Sequence, residues 1–117
     1  MPALTDIGKF KRLAELFVMA MRADSIVNAG KNQAALDALI WYGLTERQAE
    51  SFINGAFRQS DKGMVRSLQQ VLEDVSTSFR RREHANILAQ IQSILEQGRI
   101  DEEIQEFFDL CSEYLYA

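Results

Sequence analysis

The sequence contains few of the residues that interrupt helices. Its 117 residues include one proline, at position 2, and six glycines. Because strands and hairpins are usually bounded by clusters of glycine, proline and asparagine, this scarcity argues against a β-sheet. The length allows one domain with one core. The sequence therefore predicts a single all-α domain over residues 1–117.

Cysteine and histidine are equally scarce. Cys111 is the single cysteine, so no disulfide can form within the chain, which fits a reducing compartment. His84 is the single histidine, and a lone histidine near a helix start is typical of a surface or capping residue. The sequence has no glycine-rich phosphate loop, nucleophile elbow or Cys–His pair. We therefore expect a protein that is not an enzyme, with no catalytic residue and no organic cofactor.

Long hydrophobic runs are absent as well. The longest apolar run, residues 16–21, is far shorter than the ~20 residues that cross a bilayer. Charged residues between positions 6 and 12 interrupt any signal-peptide core. The sequence therefore predicts a cytoplasmic protein without a membrane span.

Charge is distributed unevenly along the chain. The formal net charge is −4, and residues 96–117 carry seven acidic side chains against Arg99 alone. Binding to nucleic acid requires lysine and arginine at the phosphates, so an acidic end argues against it. The same charge suits a cation or a basic protein partner.

Apolar residues recur close to a 3.6-residue period and predict about six helices. Thr45 and Gln48 have the spacing of a capping box at the start of the third helix. Thr5 and Asp101 are expected to cap the first and last helices. The predicted helices run over about 5–23, 28–43, 46–58, 64–78, 82–96 and 102–115.

A helical hairpin occurs twice, over about residues 10–43 and 84–117. An offset of about 74 residues aligns the apolar positions of the two copies. In each copy two helices are joined by a polar corner that contains an isoleucine of a type expected to be buried. The first corner is Asp24–Asn28 and the second corner is Gln97–Asp101. The repeat predicts a bundle with two pseudo-symmetric hairpins.

The corner motifs resemble the TerB-like tellurite-resistance family, which includes the N-terminal module of DjlA-type membrane co-chaperones. The family pattern is Ala-Asp-Gly-x-Ile followed by an acidic residue, and it is similar to Ala23–Asn28 and to Gly98–Glu103. Ser25 stands where the family has glycine, and Gln97 stands where it has aspartate. Gly30 and Lys31 stand where an acid is expected. The resemblance implies a helical module of stress-response or membrane-associated complexes, with an acidic cation site in some members.

A divalent-cation site at the corners is one function that this resemblance implies. Asp24 and Glu103 would be its ligands if the two corners meet across the pseudo-two-fold axis. Ca²⁺ needs six to eight oxygen ligands, and each corner lacks part of the acidic set, so we expect weak binding or none. The alternative is that Asp101, Glu102 and Glu103 only cap the last helix and favour its positive end.

The last predicted helix carries an acidic stripe, which is either a solvated face or a docking face for a basic partner. Its members recur at helical spacing: Glu102, Glu106, Asp109 and Glu113. Three functions follow: a non-enzymatic interaction module, a cation-binding protein, or a small acidic inhibitor of the immunity type. A protein partner is expected, and Tyr114 and Tyr116 leave a homodimer open. Trp41, Phe107 and Phe108 are predicted to lie in the core.

Overall fold

The structure is a computed structural model that describes residues 4–63 and 66–115. Over these residues it is all-helical and contains no strand, which confirms the predicted fold class. The six helices are α1 (Leu4–Met21), α2 (Ala29–Trp41), α3 (Glu46–Asp61), α4 (Leu68–Ser78), α5 (Arg81–Leu95) and α6 (Glu102–Tyr114). In the part of the chain that is described, no helix is both long and apolar enough to cross a bilayer.

Side-chain caps set most of the helix starts. The predicted capping box is present, since Thr45 Oγ1 accepts from the Gln48 N–H at 3.1 Å and Gln48 Oε1 accepts from the Thr45 N–H at 2.9 Å. Ser67 and Gln70 form a capping box at the start of α4, so this helix begins at Leu68 rather than near residue 64 as predicted. The predicted start, Met64, lies outside the described residues. Thr5 lies inside α1, which begins at Leu4, so the prediction of a cap at Thr5 was wrong.

Helix α1 is the centre of the bundle. It packs against α2, α3, α4 and α5, which explains why apolar residues occur on more than one of its sides. Leu13, Leu16, Phe17 and Met21 are completely buried. Fully burying one such side chain stabilises the fold by about 1.5–3 kcal/mol, so α1 contributes a large part of the core.

The boundaries of the two hairpins correspond closely. Helix α1 ends at Met21 and α5 ends at Leu95, and the next helices are capped by Asn28 and Asp101. The two caps have the same φ, −140°, with ψ of 170° and −173°. Each accepts a hydrogen bond from the N–H three residues later. The two corners therefore deliver the chain into α2 and α6 with one backbone geometry.

Several predictions of burial were wrong. Trp41 is 62% exposed at the end of α2, where its ring lies perpendicular to that of Tyr42 with 5.1 Å between the ring centroids. Ile26 and Ile100 are 51% and 66% exposed, although both corner isoleucines were expected to be buried. Phe107 and Phe108 are half-buried because α6 contacts few other helices and lies at the edge of the bundle.

His84 lies inside the bundle, so the expectation of a surface residue was wrong and that of a capping residue was right. Its Nε2 lies 3.0 Å from the Ser76 carbonyl oxygen and 3.2 Å from that of Phe79, at the end of α4. Two carbonyl acceptors require Nε2 to carry the proton. The ring therefore caps α4 from α5 and closes the turn between the two helices.

Candidate functional site

The two corners are joined by hydrogen bonds. Asn28 Nδ2 donates to the Gln97 carbonyl oxygen at 3.0 Å, and the Arg99 N–H donates to Asp24 Oδ2, also at 3.0 Å. These residues are about 70 positions apart in the chain, so the bonds connect the N-terminal hairpin to the C-terminal one. The structure thus brings the corners together, which is the condition that a shared cation site at Asp24 and Glu103 would require.

A buried ion pair lies between the corners. The side chains of Lys31 and Asp24 are 1% and 2% exposed, and the Lys31 ammonium donates to Asp24 Oδ1. It also donates to the Met21 carbonyl oxygen at 3.0 Å and to the Ile26 carbonyl oxygen. Three oxygen acceptors use all three donors of the ammonium group. The pair is therefore fully hydrogen-bonded, which is the condition for keeping a charge in the interior of a protein.

The Asp24 carboxylate is equally well satisfied. Its Oδ1 accepts from the Ile26 N–H at 2.9 Å, and its Oδ2 accepts from the Arg99 N–H. Burial opposes the charged form, but the hydrogen bonds from Lys31, Ile26 and Arg99 and the positive charge of Lys31 lower the pKa of Asp24 to about 2. Asp24 is therefore ionised at neutral pH.

Gly98 leaves the space that the ion pair occupies. A Cβ atom at this position would lie 2.3 Å from Asp24 Oδ2 and 2.7 Å from Lys31 Cε. Only glycine permits so close an approach of the second corner to the pair. The second corner thus supplies a backbone N–H and empty space where the first supplies charged side chains.

Ser25 adopts the left-handed backbone conformation, with φ of 64°. This is the position at which the TerB-like pattern has glycine, which adopts such angles without a steric cost. The turn at Ser25 directs both the Asp24 carboxylate and the Ile26 carbonyl oxygen toward Lys31. The serine is therefore tolerated in a glycine conformation because the turn is held by the ion pair.

The Lys31 ammonium lies where the predicted cation site would need a metal ion, against an Asp24 carboxylate that is already satisfied. Glu103, the other predicted ligand, is exposed in the first turn of α6. Among the described residues, no group of three or more histidine, cysteine, aspartate or glutamate side chains is arranged to hold a metal ion. Weak or absent metal binding stays a prediction, and the buried Lys31 ammonium beside Asp24 gives it a physical reason.

The predicted partner-binding residues are all exposed on α6: Glu102, Glu106, Asp109 and Glu113. Asp109 accepts a hydrogen bond from Gln105 at 2.9 Å. Asp101 caps the helix through the Ile104 N–H at 3.1 Å, which supports the capping alternative for that residue. The stripe is thus an accessible acidic face that begins directly after the second corner.

Large aliphatic side chains are exposed at the joined corners. Ile26 is 51%, Val27 is 49% and Ile100 is 66% exposed. The Asp24 carboxylate accepts from the backbone N–H of both Ile26 and Arg99, so the two corners approach each other closely beside these exposed side chains. We call Ile26, Val27 and Ile100 the corner patch.

Cys111 has no nucleophilic role in this arrangement. Its side chain is buried in the core, and burial raises the pKa of the thiol to about 12. A thiol that remains protonated is a poor nucleophile and a poor metal ligand. Cys111 is therefore a small core residue, as its place on the apolar stripe of α6 predicted.

Comparisons with known proteins provide no relative. No family model matches the chain, and neither the search of curated proteins nor the search of solved structures returned a match. The likeness to the TerB-like family therefore rests on the corner motifs alone and stays a prediction.

Proposed function

We propose that this protein is a non-enzymatic interaction module that docks a protein partner on the corner patch. The observation that carries the proposal is the exposure of Ile26, Val27 and Ile100 at corners that hydrogen bonds hold together. Exposed apolar groups lose little conformational entropy on binding when their backbone is already rigid. Such a patch is typical of a docking site.

Charge identifies the class of partner. The corner patch continues into the acidic start of α6, where Glu102, Glu103 and Glu106 are exposed. A complementary surface therefore combines apolar side chains with lysine or arginine. We expect a basic amphipathic segment of another protein, and the resemblance to the TerB-like family favours a stress-response complex as its setting.

Site-specific photo-crosslinking tests this proposal. A benzophenone amino acid at Ile100 in the full chain is expected to crosslink one partner, which mass spectrometry identifies. The matched control is the same amino acid at Glu46, which is exposed beyond the opposite end of α2, about 20 Å away at 1.5 Å per residue. Equal crosslinking from both positions would contradict the proposal, and crosslinking to a second copy of this chain would identify a homodimer instead.

Affinity measurements with the purified partner complete the test. Ile26→Ser with Ile100→Ser is expected to weaken binding strongly, while the unfolding free energy changes by less than about 1 kcal/mol because both side chains are exposed. Glu102→Gln with Glu106→Gln should slow association and reduce its dependence on salt. Affinity that is unchanged in the isoleucine variant would exclude the corner patch as the docking site.

Inhibition of a basic protein is a second candidate function, favoured by the exposed acidic stripe of α6. In this case Asp109→Asn with Glu113→Gln, at the far end of the stripe, should weaken binding as much as substitution of Glu102 and Glu106. If docking occurs on the corner patch, the effect of the Asp109 and Glu113 substitutions should be much smaller. The same pair of variants therefore separates the two functions.

A further inference from the structure

A groove along α1 and α3 contains an apolar chamber and a basic mouth. The chamber, about 370 Å³, lies between α1, α3, α4 and α6, and its apolar walls are Val18, Met19, Ala56, Leu68 and Phe107. The mouth, about 520 Å³, lies between α1 and α3. Glu15, Ala56 and Gln59 line both cavities, so the chamber and the mouth adjoin along α1 and α3, and we refer to them together as the groove.

Three cationic side chains surround the mouth: Lys11, Arg58 and Lys62. Within the described residues, none of the three forms an ion pair with a carboxylate. The mouth is thus locally positive although the net charge of the chain is −4. The mouth is therefore electrostatically suited to an anion.

Glu15 lies at the junction of the chamber and the mouth. Its negative charge is compensated by two arginines, so it repels an anion less than a free carboxylate would. Arg12 binds its Oε1 at 2.7 Å, and Arg66 contacts both of its oxygens at 3.3 Å. Burial disfavours the charged form of Arg66, but hydrogen bonds to Asp74 and Glu15 raise the pKa of Arg66 above its ordinary value. Glu15 therefore remains neutralised by two guanidinium groups.

We propose that this groove binds a single-chain anionic amphiphile, an alkyl carboxylate of medium length. The alkyl chain occupies the apolar chamber, and the carboxylate lies among Lys11, Arg58 and Lys62. A chamber of 370 Å³ falls within the range of about 300–1,000 Å³ that is usual for small-molecule sites. Charge complementarity selects an anion, and the apolar walls select a hydrocarbon chain. This site is separate from the corner patch, so either proposal can fail alone.

Titration of the native protein with decanoate, below its micelle concentration, tests the proposal by calorimetry and by NMR. Decanoate is expected to bind and to shift the methyl resonances of Val18 and Met19. Decyltrimethylammonium, with the same chain length and the opposite charge, is the ligand control and should bind at least about tenfold more weakly. Equal affinity for the two ligands would contradict the proposal, because the basic mouth would then have no role.

Variants test each half of the groove. Lys11→Gln/Arg58→Gln/Lys62→Gln should weaken decanoate binding about tenfold, since each exposed ionic contact contributes a modest amount. The matched control, Arg47→Gln/Arg81→Gln/Arg82→Gln, removes the same charge from exposed residues elsewhere and should leave binding nearly unchanged. Equal weakening by the two triple variants would indicate a general charge effect and overturn the site.

Ala56→Leu tests the chamber, because Ala56 lines both cavities. The added side chain should block the alkyl chain and abolish the shifts at Val18 and Met19. Decanoate that still shifts these methyl groups with native affinity in a folded Ala56→Leu protein would place the ligand elsewhere. If this variant does not fold, the two triple variants and the cationic ligand still decide the proposal.

Discussion

The two corners lead into their helices through caps of the same geometry, but their chemistry is opposite. The first corner provides a carboxylate, Asp24, and leads into the helix that carries Lys31. The second corner has Gln97 at the motif position of Asp24, and it provides the Arg99 N–H and the Gln97 carbonyl oxygen. One corner thus supplies the charged side chains, and the other supplies the space and the backbone groups that enclose them.

This difference explains how the two corners can meet without a bound cation. Two acidic corners facing each other would repel unless a cation lay between them. In this chain the Lys31 ammonium provides that positive charge from within the fold. The TerB-like pattern has acidic residues where this chain has Lys31 and Gln97. Those acids are not needed here to hold the corners together, because the Lys31 ammonium already provides the positive charge between them.

Breaking the ion pair has the largest expected effect. Lys31→Met preserves most of the side-chain volume but leaves Asp24 buried without its counter-charge, which typically costs about 3–5 kcal/mol. Denaturant unfolding measures the loss. Lys62→Met, at an exposed lysine, is the control and should change stability by about 0.5 kcal/mol or less.

A double variant sharpens this test. Asp24→Asn combined with Lys31→Met should lose less than the sum of the two single changes, because the second change removes the charge that the first left unpaired. Additive losses would show that the pair does not act as a unit.

Filling the space at Gly98 is expected to have the next largest effect on the unfolding free energy. Gly98→Ala places a Cβ against Asp24 Oδ2 and Lys31 Cε, and overpacking of this kind costs about 1–3 kcal/mol. Gly30→Ala should cost less, because its nearest atom, Gln97 Oε1, is the end of a flexible side chain. Gly8→Ala in α1 meets nothing within 4 Å and is expected to stabilise the protein, by up to about 1 kcal/mol. A different order of the three melting temperatures would contradict the proposed packing of the corners.

Acid should weaken the junction in a defined pH range. The pKa of Asp24 is about 2 in the folded protein against 3.8 normally, so the folded state binds this proton less readily than the unfolded state. The stability that Asp24 contributes is therefore complete above about pH 4 and is lost as the pH falls toward 2. Chemical unfolding between pH 5 and pH 2 should show a smaller acid-dependent loss in Asp24→Asn than in the native chain. Identical pH profiles would show that Asp24 has an ordinary pKa in the folded protein.

The smallest effect is expected at Ser25. Ser25→Gly relieves a left-handed conformation but adds freedom to the unfolded chain, so we expect a gain of less than about 1 kcal/mol. The same change in a helix, Ser93→Gly in α5, should destabilise the protein by about 0.5–1 kcal/mol. Thermal unfolding of the two variants should therefore shift in opposite directions, and a shift in the same direction would contradict the strain assigned to Ser25.

Much of the fold could be predicted because its signals are local. The helical periods, the capping box at Thr45 and the cap at Asp101 depend on residues within four positions of one another. The candidate site was only partly predictable, because its two halves are far apart in the chain. The departure at Lys31 was visible in the corner motif, but its role depends on Met21, Asp24 and Ile26 surrounding one ammonium group.

The amino-acid sequence by itself determined the six helices and the caps at Thr45 and Asp101, because side-chain period and end caps act over short distances. Only the tertiary structure decided which corner residues are buried. It placed Lys31 inside and left Ile26, Ile100 and Trp41 exposed, in each case against the ordinary preference of the residue type. The physical reason is that burial is set by neighbours from distant segments: a lysine can be buried where three oxygen atoms receive its protons, and an isoleucine remains exposed where no other helix covers it.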